Sequence, residues 1–262
     1  MKLSKNTINF GKHGSGKTSI IEAAASVSNS KYVERFIESG KEPNSSIFRA
    51  KIIYSTVDHL NKEIDLKIER SKLIRMEQGR PCILPPGDLE VIYCAIPDCS
   101  KTDEEDDVDF MMRVLNVDKT ALYALADLGT TTIIPGKMHF EQANVYAGES
   151  EEISLPRLKL NRFPYYELKF KIESRSFFLS YDSLSGSEKI MLIIDLFITK
   201  AREITRQKLT LLLIDELGCY LDRGNFEKLI YFLANQDFQT IISLPPAWES
   251  EFIENVDGQK KT

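Results

Sequence analysis

Residues 11–18 read Gly-Lys-His-Gly-Ser-Gly-Lys-Thr and match the pattern G-x-x-x-x-G-K-[ST] at every fixed position. The residues before them, Asn6 to Phe10, alternate in a way that predicts a strand, and Ser19 to Val27 favours a helix. A glycine-rich turn between a strand and a helix lets backbone N–H groups point inward and bind phosphate. This stretch therefore predicts a nucleotide-binding loop. Its expected nucleotide-binding residues are Gly11, Lys12, His13, Gly14, Ser15, Gly16, Lys17, Thr18 and Ser19.

A second motif is the apolar run 211–214, which ends in two acids, Asp215 and Glu216. The carboxyl ends of parallel strands lie at one edge of a sheet, so these acids are expected beside the phosphate loop. There Asp215 and the Thr18 hydroxyl would hold Mg²⁺, while Lys17 reaches the β- and γ-phosphates. Glu216 is suited to activate the attacking water as a general base. Lys17 and Glu216 are therefore the candidate catalytic residues of a nucleotide hydrolase.

A third segment, Ser183 to Lys189, opens an apolar stretch with helical spacing. Ser185 and Glu188 match the S-x-x-E capping box, which predicts that Ser185 caps a helix beginning there. The exposed N–H groups at such a helix start can bind an anion. From these residues alone, an ordinary helix cap and an anion site are both open interpretations.

The two ends of the chain read as alternating strands and helices. The segments 209–214 and 239–244 are apolar enough for central strands, and Phe226 to Leu233 has helical spacing between them. This β-α-β order predicts a parallel sheet. The middle of the chain, roughly 47–180, has short alternating stretches, then a helical patch, then a hairpin. Its expected strands are 47–55, 63–68, 89–96, 166–172 and 177–181.

Composition limits the class of protein. The chain has 262 residues, of which 42% are hydrophobic and 28% charged, as in a globular protein with a sizeable core. The apolar runs are too short to span a bilayer and no secretion signal is recognisable, so we expect a cytoplasmic protein without a membrane partner. The four cysteines form no CxxC pair, which favours reduced thiols over disulfides or zinc.

The net charge of −5 gives no support to a nucleic-acid groove, and the acidic run 103–107 is expected to be a solvated loop or a helix start.

The three motifs occur in the order of the ABC-type ATPase superfamily: Walker A, signature, Walker B. The stretch Leu184-Ser-Gly-Ser-Glu-Lys resembles the LSGGE signature of the SMC, break-repair and RecF-like ATPases, and Leu221-Asp222 resembles the end of the family's D-loop. Thirty residues separate Ser185 from Asp215, which leaves room for a long helix as in that branch. The 168 residues between Lys17 and Ser185 cannot hold a long coiled-coil arm. The chain thus resembles a compact ATPase head of SMC/RecF/OLD-like type, as in DNA repair and bacterial antiphage defence.

This resemblance implies an α/β fold: a P-loop NTPase with a mainly parallel core sheet, an antiparallel β lobe and a helical signature subdomain. It implies a single ABC-type ATPase domain over 1–262, with a core of 1–30 and 184–262 and an inserted β/helical lobe at about 40–183. It also implies that ATP, with Mg²⁺, is bound and hydrolysed between copies of the chain, in a homodimer or a higher homo-oligomer. The residues expected to act in trans are Ser185, Gly186, Ser187 and Glu188, with Asp222 in the D-loop. An effector protein and DNA are the further implied partners.

Several features depart from the family pattern. Leu244-Pro245-Pro246 stands where the family has a histidine that senses the γ-phosphate, and neither Gln78 nor Gln142 is a clear Q-loop glutamine. Only ten residues precede Gly11, so the family's N-terminal strands are expected to be short or missing. A slow or non-cycling nucleotide-dependent sensor or scaffold is therefore an alternative to the ATPase. A transporter nucleotide-binding domain is disfavoured by Glu188 and by the length between signature and Walker B.

Overall fold

The structure, a computed structural model, describes most of the chain. The described residues are 6–10, 16–33, 49–55, 61–69, 72–96, 99–102, 104–143, 165–217 and 221–244. Their strands are β1 (Asn6–Phe10), β2 (Arg49–Tyr54), β3 (Lys62–Glu69), β4 (Lys72–Glu77), β5 (Arg80–Cys82), β6 (Leu89–Ala95), β7 (Gly136–Gln142), β8 (Tyr166–Ile172), β9 (Leu179–Ser180), β10 (Leu209–Asp215) and β11 (Gln239–Leu244). Their helices are α1 (Lys17–Ala25), α2 (Asp107–Leu115), α3 (Lys119–Leu128), α4 (Gly186–Thr205) and α5 (Arg223–Ala234). None of the helices in these ranges is both long and apolar enough to cross a membrane.

The chain divides into two compact units, each built from segments that are distant in sequence. The first unit comprises Met1–Ala95, Ala201–Cys219 and Leu233–Thr262, and the second comprises Ile96–Lys200 and Tyr220–Phe232. In the described ranges, the first unit holds a parallel sheet and an antiparallel sheet, and the second holds another antiparallel sheet.

A four-stranded parallel sheet, ordered β1-β11-β10-β6, lies in the first unit. Its strands β10 and β11 are buried along nearly their whole length, as expected for strands covered on both faces. The register pairs Phe10 of β1 with Leu244 of β11, and Asp215 of β10 with Ala95 of β6. The carboxyl ends of all four strands therefore meet at one edge of this sheet.

The antiparallel sheet β2-β3-β4-β5 completes the first unit in the described ranges. Ile64 and Leu66 of β3 share one apolar cluster with Ile21 and Ala25 of α1 and with Leu213 of β10. Burying large apolar side chains stabilises such a cluster by about 1.5–3 kcal/mol each. This cluster holds α1 against the parallel sheet. It therefore also positions the N-terminal end of α1, which follows the glycine-rich stretch.

In the second unit, β7, β8 and β9 form an antiparallel sheet, with α2 in contact with β8 and α3 in contact with β7. Gly136, the first residue of β7, allows this close packing. A Cβ at that position would lie 2.7 Å from the Phe170 ring and 2.5 Å from the Lys171 carbonyl oxygen. Only glycine fits there without a shift of the neighbouring strand.

The acidic run 103–107 leads into α2, one of the two outcomes expected from the sequence. Asp106 is the N-cap, and its carboxylate accepts a first-turn backbone N–H at 2.8 Å. Asp107 is buried rather than solvated, which corrects part of the expectation. Its carboxylate accepts hydrogen bonds from Lys101 Nζ at 2.5 Å and from the Leu168 N–H at 2.7 Å. Partners of this kind offset the cost of burying the charge.

The predicted fold class is confirmed: an α/β chain with a parallel sheet and antiparallel sheets. The predicted hairpin is present, although β9 is only two residues long and a 3₁₀ turn follows it. The strand Leu89–Ala95, expected in the middle segment, pairs in parallel with β10. Its burial on both faces explains this position. The division into a core and an inserted lobe at about 40–183 stays a prediction.

Candidate functional site

The end of the predicted phosphate loop lies within the described residues. Gly16 is the N-cap of α1 and has a φ of 86°, a left-handed conformation that glycine adopts without strain. Lys17, Thr18 and Ser19 form the first turn of α1, and their side chains are half-buried. Helix N-termini favour anions, because backbone N–H groups and the helix dipole point there. Residues 11–15 lie outside the described ranges, so the contacts expected of them stay predictions.

The first predicted acid, Asp215, ends β10 and is only 2% exposed. The Ser243 hydroxyl on β11 donates a hydrogen bond to its Oδ1, and the Tyr93 hydroxyl on β6 donates to its Oδ2 at 3.4 Å. Tyr93 itself packs edge-on against Tyr32, with ring centroids 4.8 Å apart. Side chains from both strands that flank β10 therefore orient the Asp215 carboxylate.

The second predicted acid, Glu216, directly follows β10, and its side chain is exposed. Its φ of 58° is left-handed, which costs a non-glycine residue about 1–3 kcal/mol. Its backbone N–H donates to Asp215 Oδ1 at 3.1 Å and to Ser243 Oγ at 3.2 Å. These two bonds hold the turn in this conformation and leave the Glu216 carboxylate accessible to water.

Ser243 and Tyr93 belong to this site although no sequence motif singles them out. Both are buried in apolar strands, Ser243 in β11 and Tyr93 in β6. The available signal was the polar Ser243 near the end of β11, within the otherwise apolar residues 241–244. Its significance depends on the strand order, which places β11 beside β10.

The oxygen donors at this edge fit a magnesium ion. Mg²⁺ prefers carboxylate, hydroxyl and water oxygens, and in nucleotide sites the protein supplies only one or two of them. Thr18 offers a hydroxyl and Asp215 a carboxylate. Among the described residues, only Tyr93 donates to the Oδ2 atom of Asp215, through a long bond, so this atom keeps a lone pair for a metal or for a metal-bound water.

In the second unit, the predicted capping box at the start of α4 is confirmed. The Ser185 N–H donates to Glu188 Oε2 at 2.9 Å, and the Glu188 N–H donates to Ser185 Oγ at 3.3 Å. Arg175, which lies between β8 and β9, donates to Glu188 Oε1 at 2.8 Å. The Ser185 N–H and Arg175 hold the pKa of Glu188 below its usual range, against the opposing effect of burial. These bonds fix the geometry of the first turn of α4.

Gly186 and Ser187 complete the start of α4. A Cβ added at Gly186 would meet no described atom within 4 Å, and the residue has no left-handed φ. Neither packing nor backbone conformation in the described ranges therefore requires a glycine at 186. The Ser187 hydroxyl lies 3.4 Å from that of Ser185. The turn thus offers hydroxyl groups beside open space.

Asp222, the predicted D-loop residue, caps α5. Its Oδ1 accepts the Asn225 backbone N–H at 2.9 Å, and its Oδ2 accepts Asn225 Nδ2 at 2.8 Å. Of the weak Q-loop candidates, Gln78 lies in the turn between β4 and β5, and Gln142 ends β7. Pro245, which follows β11, lies outside the described residues.

The predicted site residues within the described ranges are divided between the two units. The first unit holds Gly16 to Ser19 with Asp215 and Glu216, and the second holds Ser185 to Glu188 with Asp222.

Comparisons with known proteins agree with this fold. No protein-family model and no curated protein matches the sequence. Among solved structures, the recombination mediator protein RecF with ATP, from the RecFOR pathway, is similar with a TM-score of 0.53 and 13% identity, over 92% of this chain and 86% of that chain. RecF with ATPγS gives a TM-score of 0.58 and 12% identity, over 94% and 88%. At this identity the likeness concerns the fold, and the chain has a RecF-like α/β fold.

Proposed function

We propose that the chain is an ABC-type ATPase of the SMC/RecF/OLD-like type that acts in the cytoplasm. ATP-dependent pairing of two copies would control engagement of DNA or of an effector protein, in DNA repair or antiphage defence. One observation carries the proposal. Asp215 ends β10, and Glu216 follows it, at the sheet edge where β1 also ends; β1 leads within seven residues to Lys17 at the start of α1. That arrangement suits a nucleoside triphosphate bound at this edge.

Nucleotide binding is assigned to residues 11–16 and the first turn of α1. Backbone N–H groups would cradle the phosphates, and the Lys17 ammonium would neutralise charge on the β- and γ-phosphates. Thr18 and Asp215 would hold Mg²⁺, which when bound neutralises further charge on the phosphate oxygens.

Glu216 is the proposed general base. Its carboxylate takes a proton from a water molecule, whose oxygen attacks the γ-phosphorus. The bond from the γ-phosphorus to the bridging oxygen breaks, and ADP and phosphate are released. The anchored backbone and exposed side chain of Glu216 suit this step, because the base is held in place without being shielded from water.

The start of α4 is assigned to the γ-phosphate of a nucleotide bound by a second copy of the chain. The open space at Gly186 supports this assignment, since a phosphate approaching from outside gives a reason for a glycine that the packing of the described residues does not require. The residues assigned to this contact are Ser185, Gly186, Ser187 and Glu188, and Asp222 is assigned to the D-loop.

The DNA-repair setting is supported by the RecF-like fold, because RecF is named as a recombination mediator protein of the RecFOR pathway. A defence setting rests on the signature and the compact length alone. An effector protein or DNA would then respond to whether two heads are joined, which makes nucleotide state an assembly switch.

Phosphate release under multiple turnover tests the enzymatic proposal. The wild-type protein is expected to hydrolyse ATP. Glu216→Gln is expected to bind ATP but to hydrolyse it more slowly by about 10²-fold or more, as for loss of a positioned base. Glu227→Gln, an exposed glutamate of α5, is the matched control and should keep the wild-type rate. An unchanged rate in Glu216→Gln would remove this residue from the mechanism.

A nucleotide-dependent sensor or scaffold is the second candidate function. It is favoured by Pro245, which stands where the family has its γ-phosphate-sensing histidine. The same assay distinguishes the two functions, because a sensor would bind ATP yet turn it over no faster than its Glu216→Gln variant.

A further inference from the structure

Arg75 of β4 is a buried cation that the proposed ATPase does not use. It lies in the first unit and is only 8% exposed. Its Nη2 donates to the Ser26 carbonyl at 3.1 Å and its Nη1 to the Ile83 carbonyl at 3.2 Å. Ser26 is the C-cap of α1, so the first bond caps that helix. The Nε atom is buried and has no hydrogen-bond partner among the described residues.

The charge of Arg75 is not neutralised within the described ranges, where its acceptors are two uncharged carbonyl oxygens. Burial lowers the pKa of the guanidinium, although the nearby Cys82 thiol opposes this effect. Arginine nevertheless remains protonated in proteins. A buried charge with no counter-charge is strongly unfavourable, and binding of an anion would relieve that cost.

Arg75 also lines a cavity of about 440 Å³, a size typical of small-ligand sites. Ser28 and Ser30 contribute hydroxyl groups to its wall, and Leu73 and Ile83 contribute apolar surface. Ile83 is 95% exposed, which places an unusually accessible apolar side chain at the cavity mouth. A cation, hydroxyl donors and apolar surface are therefore combined in one concave site.

We propose that this cavity binds an oxyanion, the carboxylate or phosphate group of a partly apolar ligand, with Arg75 as its counter-charge. The hydroxyls of Ser28 and Ser30 donate hydrogen bonds to the oxyanion, the Arg75 guanidinium supplies the opposite charge, and the apolar wall contacts the rest of the ligand. The cavity lies at the C-terminal end of α1, about 12 Å along the helix from Lys17 at 1.5 Å per residue. It is therefore distinct from the proposed nucleotide site.

Alkylation of Cys82 in the full chain tests this proposal. Cys82 is a free, half-buried thiol that lines the cavity, so a bound ligand should slow its reaction with iodoacetamide. The probes are benzoate, phenyl phosphate and the neutral benzamide, at constant ionic strength, with the alkylated peptide quantified by mass spectrometry. We expect concentration-dependent protection by benzoate, phenyl phosphate or both, and none by benzamide. The anion that protects Cys82 at the lower concentration shows whether the site prefers a carboxylate or a phosphate group.

Variants distinguish binding in the cavity from weak binding elsewhere on the surface. Arg75→Gln removes the charge and is expected to weaken protection at least about tenfold, as for loss of a charged hydrogen bond. Ile83→Glu places a competing carboxylate at the mouth from an exposed position, so it should fold normally and show the same loss. Ile53→Glu, at an exposed position of β2 outside the cavity lining, is the matched control and should be protected like the wild type.

Three results would overturn the proposal: equal protection by benzoate and benzamide, no protection by any probe, or unchanged protection in Ile83→Glu.

Discussion

The Ser243 hydroxyl donates a hydrogen bond to Oδ1 of Asp215 across the neighbouring strands β11 and β10. The Oγ atom of Ser243 also accepts the backbone N–H of Glu216 at 3.2 Å. One small side chain therefore joins the proposed metal ligand to the proposed general base. Because Ser243 is almost wholly buried, its removal would leave hydrogen-bonding groups that water cannot readily satisfy.

Ser243→Ala is expected to slow ATP hydrolysis by about 10- to 100-fold, the cost of one hydrogen bond to a charged group. Affinity for ATP should change far less, because Lys17 and the phosphate loop are untouched. Ser243→Thr keeps the hydroxyl and should restore most of the rate. Phosphate-release kinetics and equilibrium binding of a labelled ATP analogue measure the two effects. If Ser243→Ala hydrolyses ATP as fast as the wild type, Ser243 does not position the acids.

Lys17→Ala is expected to abolish nucleotide binding, since backbone dipoles alone cannot neutralise the charge on the β- and γ-phosphates. Equilibrium binding of a labelled ATP analogue measures the loss. Lys31→Ala, which removes an exposed lysine downstream of α1, is the control and should bind normally. Retained affinity in Lys17→Ala would contradict the assignment of the phosphate loop.

Asp195 of α4 binds the backbone of the loop before β7, and its removal tests how much this contact stabilises the fold. It is fully buried, and its carboxylate accepts the Ile133 N–H at 2.9 Å and the Ile134 N–H at 2.9 Å. Asp195→Ala would leave both N–H groups buried without an acceptor, so the free energy of unfolding should fall by roughly 3–5 kcal/mol. Urea denaturation measures it, with Asp127→Ala at an exposed site of α3 as the control. A loss as small as that of the control would show that the loop before β7 does not depend on Asp195.

Glu105 gives a prediction for pH. Hydrogen bonding to Arg113 lowers the pKa of Glu105 to about 2 in the folded protein. A carboxyl group with a lower pKa in the folded state stabilises the fold above its unfolded pKa, about 4.3, and loses this contribution as the pH falls toward the folded value. The difference in unfolding free energy between wild type and Glu105→Gln should therefore be constant near neutral pH and shrink between about pH 5 and 2. Urea titrations at several pH values measure it, and a difference that does not vary with pH would contradict the pairing.

Local patterns explain why much of the candidate site was visible in the sequence. The glycine-rich stretch before Lys17, the acids Asp215 and Glu216 after an apolar run, and the Ser185–Glu188 capping box each depend on residues a few positions apart. Such patterns reflect backbone geometry and helix capping, which are set within one or two turns of chain.

Features that depend on strand order could not be found in this way. Tyr93 and Ser243 meet Asp215 only because β6 and β11 flank β10. The parallel pairing of β6 with β10 was also not predictable, because its short apolar pattern suits a core strand and a strand of an antiparallel lobe equally well. The burial of Asp107 could not be predicted either, because one of its hydrogen-bond donors, the Leu168 N–H, is distant in sequence.

The central claim, that ATP joins two copies through the start of α4, is tested most directly by mass in solution. Light scattering should be measured on the Glu216→Gln protein and on the same protein carrying Ser185→Arg, each with and without ATP and Mg²⁺. Tyr231→Arg in the same background controls for an added charge at an exposed position of α5. Binding of a labelled ATP analogue establishes that each variant still holds nucleotide.

We expect ATP to raise the mass of the Glu216→Gln protein to that of a dimer or a larger assembly, and to do the same for the Tyr231→Arg control. The Ser185→Arg protein should bind ATP yet keep the mass it has without nucleotide, because the arginine occupies the space that the second copy's γ-phosphate needs. Equal association of the Glu216→Gln protein with and without Ser185→Arg, or no association of either, would contradict the account.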